Sequence, residues 1–247
     1  MRRSRLLTSF FIALTLLISV STLSAQQEEK RPVGIEEYGR YRSISSVSIS
    51  DDGEWTSYSY TRREADDSLH VSNSGTGKDY LIPLASGARF SEDSRWVAYA
   101  LTVPWKEAEK LSEDNKPVPR KVELMNLATG EKITWENAAS FAFNETSTHF
   151  VIKKNKVDRQ AKHDGTDLIL RHLGGGYEEL IGSVSAFEFN KPGTVLSYSV
   201  DTADKDGNGL YVIFLENGRR QVLDNDRLTF ARMTWDEHGT AVAVLKG

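Results

Sequence analysis

Residues 49–61 read ISDDGEWTSYSYT, and residues 90–102 read FSEDSRWVAYALT. Each stretch opens on an apolar residue, passes through Ser and two acids into a small residue, and reaches Trp six places from its start. The phrase returns as FNETSTHFVIK from Phe143, FNKPGTVLSYSV from Phe189 and WDEHGTAVAVL from Trp235. Its anchors, Ile49, Phe90, Phe143, Phe189 and Trp235, lie 41, 53, 46 and 46 residues apart. A repeat of this length means that one supersecondary unit is written again and again, each copy burying its apolar surface only against the next. The longer second interval has a visible cause. VPWKEAEKLSEDNKPVPRK, from Val103 to Lys121, is charged, holds three Pro and reads as an inserted loop or short amphipathic helix, with Trp105, Ala108 and Leu111 at helical spacing.

A second shared phrase follows each of the first four copies: LHVSNSGTGKDYLIP from Leu69, VELMNLATGEKITW from Val122, DLILRHLGGGYEEL from Asp167 and LYVIFLENGRRQVL from Leu210. All four are an alternating apolar run, a Gly-bearing turn and another short run, which is the pattern of a β-hairpin. Gly53, Gly193 and Gly239 supply the same turn chemistry inside the first phrase. One period therefore predicts four short strands, and four strands every 40 to 53 residues are expected to form one blade of a β-propeller. The strand faces agree. In WVAYAL, Trp96, Ala98 and Ala100 oppose Val97, Tyr99 and Leu101, and in VLSYSV small residues again oppose large ones. Neither face is charged, as expected where neighbours pack on both sides. A β-sandwich also has many short strands, but it has no reason to repeat one phrase at near-constant spacing.

The expected fold class is thus all-β, a β-propeller of four-stranded blades over about residues 41–84, 85–135, 136–181 and 182–224, with residues 225–247 holding the first half of a fifth. On this reading the chain is cut short inside a repeat. Before the propeller, MRRSR is basic, Leu6 to Leu23 is apolar apart from Ser and Thr, and LSAQQ follows. That order predicts a secretory signal cleaved after Ala25, with residues 26–40 as a linker and a secreted or periplasmic mature protein. The competing reading is a retained membrane anchor. The absence of Cys in 247 residues excludes a disulfide framework and thiolate metal sites. A net charge of -4 gives no electrostatic footprint for nucleic acid or anionic lipid.

Taken together, the N-terminal signal, ISDDGEW, FSEDSRWVAY, LATGEK and DTADKDGNGLYVIFLENG resemble the N-terminal propeller of secreted prolyl-oligopeptidase-type serine peptidases, over roughly residues 34–247. The resemblance implies a partner, an α/β-hydrolase domain C-terminal to the propeller in the same gene product. It also implies a peptide substrate that enters between the two. The nucleophilic Ser, the Asp and the His of that family all belong to the hydrolase domain, so no catalytic residue carries over to this chain. The alternative reading is a non-catalytic periplasmic propeller that binds a protein or ligand.

Chemistry within the chain is sparse. A nucleophile elbow needs G-x-S-x-G between a strand and a helix. The nearest string, GSVSA at Gly182, has Val184 and Ala186 in place of the second and third required residues. His70, His149, His163, His172 and His238 show no metal-ligand spacing. GTGK at Gly75 lacks the upstream Gly and the following Ser or Thr of a phosphate loop. One stretch, DKDGNG, matches the start of a calcium loop, with Asp204, Asp206 and Asn208 at its first, third and fifth positions and Gly209 at its sixth. The acid such a loop needs at its twelfth position falls on Leu215, and Val212 stands at the ninth. A polar connection between blade strands is the competing account, and no other cofactor is expected. A calcium-dependent adhesive propeller would rest on this stretch alone.

Overall fold

The computed structural model describes residues 34, 35, 37, 41–62, 64–158 and 160–247, so the signal sequence and most of the linker lie outside the described residues. The chain divides into two units, residues 1–38 and 39–247. In the first, the Glu37 N–H donates to the Gly34 carbonyl at 2.9 Å.

Strands β1 (Ser43–Ile49), β2 (Trp55–Thr61), β3 (Ser68–Asn73) and β4 (Asp79–Pro83) pair in chain order as an antiparallel sheet. The next four, β5 (Ala85–Phe90), β6 (Trp96–Leu101), β7 (Lys121–Asn126) and β8 (Lys132–Trp135), repeat the arrangement. Then come β9 (Ala138–Phe143), β10 (His149–Lys154), β11 (Thr166–His172), β12 (Glu178–Phe189), β13 (Val195–Val200), β14 (Gly209–Phe214) and β15 (Arg219–Asn225). These seven form one sheet, because β12 runs unbroken as the outer strand of the third group and the inner strand of the fourth. A bend at Ser183, with φ +58, and a register shift beside it turn the strand from one group into the next. The β16 (Phe230–Trp235) and β17 (Val242–Lys246) hairpin opens a fifth group.

Every inner strand carries its apolar residues at i, i+3 and i+5: Ile44, Val47, Ile49; Ala85, Ala88, Phe90; Ala138, Phe141, Phe143; Val184, Phe187, Phe189; Phe230, Met233, Trp235. Strict alternation would put them at i, i+2 and i+4. A β-bulge in each inner strand adds one residue, visible as register shifts at Ser45/Ser48, Ser86/Arg89, Lys153/Lys154, Val184/Ala186 and Ala231/Thr234. The bulge keeps all three side chains on one face, here termed the leading face. Ala85, Ala88 and Phe90 pack with Trp55, Leu69, Val71 and Ile82 of the first group. Ala138, Phe141 and Phe143 pack with Ala98, Val122, Leu124 and Trp135 of the second. Val184, Phe187 and Phe189 pack with Val151, Leu168, Leu170 and Ile181 of the third. Each sheet thus lays its leading face on the trailing face of the sheet before it, and the cores lie between sheets. Tyr99 on the leading face and Ala98 on the trailing face of one strand are both fully buried, as the sequence alternation requires. This is a β-propeller of four-stranded blades.

The insertion folds as α1 (Trp105–Glu113). Pro104 precedes its first turn, and Asn115 closes it in the left-handed region at φ 55. Trp105, Ala108 and Leu111 are its half-buried stripe, and no residue of the helix is fully buried. The Trp105 N–H donates to Asp66 Oδ1 at 2.7 Å, tying the insertion to the β2–β3 connection of blade 1.

Candidate functional site

The recurring phrase is a hairpin turn between the two inner strands of each blade, and it solves one problem in two ways. In blades 1 and 2 the Ser hydroxyl accepts the Trp N–H five residues on, at 2.9 Å for Ser50 with Trp55 and 3.0 Å for Ser91 with Trp96. The Asp two residues later accepts from that hydroxyl, at 2.5 Å for Asp52 and 2.6 Å for Asp93. In blades 3, 4 and 5 an amide or carboxylate reaches the same N–H alone. Asn144 Oδ1 accepts from His149 N at 2.7 Å, Asn190 Oδ1 from Val195 N at 2.8 Å and Asp236 Oδ1 from Ala241 N at 2.8 Å. The Ser-x-Asp and Asn phrases are therefore two chemistries for one buried cap.

Successive turns are also bonded to one another. The Asp52 N–H donates to Ser94 Oγ at 3.2 Å, and the Asp93 N–H to Ser147 Oγ at 3.0 Å. Asn144 Nδ2 donates to the Gly193 carbonyl at 2.7 Å, and Asn190 Nδ2 to the Gly239 carbonyl at 3.1 Å. Ser94, Ser147, Gly193 and Gly239 occupy the same turn position, all with positive φ. Just before them the turns carry Asp51, Glu92, Glu145, Lys191 and Glu237. Partial burial, then the Asp51 carboxyl and Glu145, hold Glu92 above its ordinary range, so the first three turns gather their acids.

The same face of the propeller holds a cleft of about 790 Å³ lined by turns of blades 3, 4 and 5, among them Thr148, His149, His172, Thr194, Glu216 and His238. A smaller hollow that includes Tyr177 and Glu179 continues from it, sharing His149, His172, Leu215 and Glu216. Three of the five His in the sequence thus meet at one cleft, although they fall in different strands and turns. His149 and His172 lie edge to face with ring centres 5.0 Å apart, and His172 stacks on Tyr177 at 4.9 Å. The Gly175 N–H donates to His172 Nδ1 at 2.8 Å, which places the proton of the neutral ring on Nε2. Burial, and then His172, push the His149 imidazole down to about 4, so it is neutral at physiological pH. The cleft offers hydroxyls and imidazole nitrogens to a hydrogen-bonding ligand. Its Thr148 hydroxyl meets His149 Nδ1 at 2.9 Å but is also engaged with Asn144 and Thr146, so it is a link in the turn network and not an activated nucleophile.

The DKDGNG side chains are engaged by protein partners, with Asn208 buried and Asp204 and Asp206 exposed. Asp204 Oδ1 accepts from Thr202 Oγ1 at 2.8 Å and from the Asp206 N–H at 3.2 Å, and Asp206 pairs with Arg227 at 2.8 Å. Asn208 Oδ1 accepts from the Thr202 N–H at 2.8 Å, while its Nδ2 donates to Asp201 Oδ1 and to the Leu228 carbonyl, each at 3.1 Å. Among the described residues no group of three or more His, Cys, Asp or Glu is placed to hold a metal ion. Asp201, just outside the motif, organises the connection. It is buried, pairs with Lys205 at 2.6 Å and accepts from the Asp164 N–H of blade 3 at 2.7 Å. Burial alone would raise its carboxyl, yet Lys205, the Asp164 N–H and Asn208 hold it below the ordinary range. The calcium-loop motif passes over Asp201 because it lies just outside it, and its tie to blade 3, the Asp164 N–H, is 37 residues upstream. GSVSA lies within β12, where no nucleophile elbow forms.

No family model matches the sequence, and no curated protein does either. Among solved structures, the chain is similar to the β-propeller domain of the Trilobed protease from Pyrococcus furiosus, which has an open velcro topology. Identity is 15% over 77% of this chain and 59% of that one, with a TM-score of 0.50. It is similar also to a prolyl endopeptidase, with 14% identity, 84% of this chain and 34% of that chain covered, and a TM-score of 0.50. The chain therefore spans less than two thirds of either neighbour. At these identities the likeness establishes the propeller fold.

Proposed function

We propose that the chain is the propeller portion of an exported prolyl-oligopeptidase-type peptidase, which admits peptide substrate and holds part of it against a hydrolase domain. The single observation that carries this reading is the likeness of fold to the propeller of a protease and to a prolyl endopeptidase. The basic-then-apolar N-terminus supports export. No described helix is long and apolar enough to cross a membrane. On this reading the described residues bind and position, and the Ser, Asp and His that cut the peptide are supplied by the hydrolase domain.

Two measurements test it. The purified chain is expected to stay unlabelled by a fluorophosphonate probe, and labelling would overturn the division of labour. The coding sequence after Gly247 is expected to encode G-x-S-x-G on a strand-to-helix turn. A stop codon without that motif would favour the non-catalytic scaffold instead. The Asp204, Asp206 and Asn208 connection is proposed to act as an inter-strand staple. Millimolar calcium is expected to leave the melting temperature unchanged, and a rise of several degrees would restore the calcium loop.

A further inference from the structure

The four interfaces between blades share a rule that extends to a face none of them covers. On the leading face of blade 1, Ile44, Val47 and Ile49 are 59%, 68% and 63% exposed. Their counterparts in blade 2, Ala85 and Ala88, are 0% and 8% exposed, and Phe90 packs on the same core. Tyr58, which aligns with the buried Tyr99, Ile152 and Tyr198, stands beside them, stacked on His70 at 4.9 Å. The bulge that gathers Ile44, Val47 and Ile49 onto one face is present, as in the other blades. Blade 1 therefore has an inter-blade surface formed in full but left in water, and such a surface is costly unless something covers it.

The turns say what kind of sheet fits. A turn capped by Ser, at Ser50 or Ser91, is followed by a turn with Ser at the positive-φ position, Ser94 or Ser147. A turn capped by Asn, at Asn144 or Asn190, is followed by one with Gly there, Gly193 or Gly239, whose carbonyl accepts the Asn Nδ2. The pairing has a steric cause. A side chain at Gly193 would sit 2.6 Å from the Glu145 backbone nitrogen, and one at Gly239 would sit 2.4 Å from Pro192 Cδ. Blade 1 carries Gly53 at this position, with φ +72 and nothing within 4 Å of where a side chain would be. By the rule, Gly53 fits beneath an Asn-capped turn. The last turn of this chain is capped by Asp236, whose oxygens already accept from Thr240 N at 2.6 Å and Ala241 N at 2.8 Å. A carboxylate has no N–H to give to the Gly53 carbonyl.

We propose that the leading face of blade 1 docks a further propeller blade whose first hairpin turn is capped by Asn, and that the Asp236-capped blade 5 of a second copy is not that partner. The proposal stands on the interfaces alone and is independent of the peptidase reading. The test uses the absence of Cys from the native sequence. In the full chain, Ile49→Cys gives one thiol whose labelling rate reports cover over the face. A copy of residues 184–228 inserted between Arg42 and Ser43 supplies a blade with Asn190 as its cap, joined as blade 4 is joined to blade 5. The Asn-capped insert is expected to slow labelling at least tenfold and to raise the melting temperature by several degrees. Asn190→Asp in the inserted copy alone is expected to abolish most of that protection. Equal protection by both inserts, or an Asn-capped insert that folds and leaves the thiol open, would overturn the proposal. An insert that stays unfolded by circular dichroism would overturn it too, because docking is what should order it. Labelling of the chain without an insert that slows as its concentration rises would make a second copy the occupant, which also contradicts the proposal.

Discussion

Ser57 and Ser59 are fully buried on the trailing face of blade 1, and neither hydroxyl has a hydrogen-bond partner. The aligned positions are Ala98 and Ala100 in blade 2, and Ser197 and Ser199 in blade 4. Those later serines are satisfied, Ser197 by the Glu188 carbonyl at 2.9 Å and Ser199 by Ser185 at 2.8 Å. A buried hydroxyl without a partner costs more than the methyl that replaces it. Ser57→Ala and Ser59→Ala are each expected to raise unfolding free energy by about 1 kcal/mol in urea titrations, whereas Ser197→Ala is expected to lower it. His149 gives a pH signature. Its folded value near 4 lies below the ordinary imidazole value of 6.5. Between those values the unfolded chain binds more protons than the folded one, so this group makes stability rise with pH across that window and removes its contribution as pH falls through it. The difference in melting temperature between native chain and His149→Phe is expected to grow in the native chain's favour from pH 4 to 6.5 and to stay level above.

At the scale of elements, the hairpin turns carry the register of the whole stack. Gly193→Ala is expected to cost about 3 kcal/mol, because strain at positive φ adds to a collision with the backbone of blade 3. Gly53→Ala, at a similar φ in open space, is expected to cost about 1 kcal/mol. Urea midpoints compare the two directly. Most of these elements were legible in the sequence, since apolar alternation marks the strands and Gly marks most of the hairpin turns, with Ser94 and Ser147 in its place in blades 2 and 3. The inner strands were harder to read. Their i, i+3, i+5 spacing in Ala138, Phe141 and Phe143 fits neither a strand nor a helix until the bulge is known, and nothing local in the sequence announces it. The His cleft was illegible for a different reason. His149 and His172 pair across β10 and β11 of blade 3, and His238 of blade 5 joins them through blade stacking, which no spacing along the chain encodes.

For the molecule as a whole, blades 1 to 4 cohere through three apolar clusters, each shared by two neighbouring blades. Such an array is expected to unfold by units and not by single strands. Hydrogen exchange is expected to show β9–β15 exchanging with one common free energy and β16–β17 exchanging faster, since much of that hairpin is exposed. Separate free energies for β9–β11 and β13–β15 would contradict it. The repeat phrase foretold the number of strands per blade, but not that blades 3 and 4 would share a strand. That shared strand has a mechanical consequence. Leu84 and Asn137, at the joints on either side of blade 2, lie outside any strand and are held by single backbone bonds such as Thr102 N–H to the Leu84 carbonyl and Asn155 N–H to the Asn137 carbonyl, whereas Ser183 sits inside an unbroken strand with ladder pairing on both flanks. Pulled or thermally strained, the stack should yield at its first two joints and carry its third and fourth blades away as a single rigid plank.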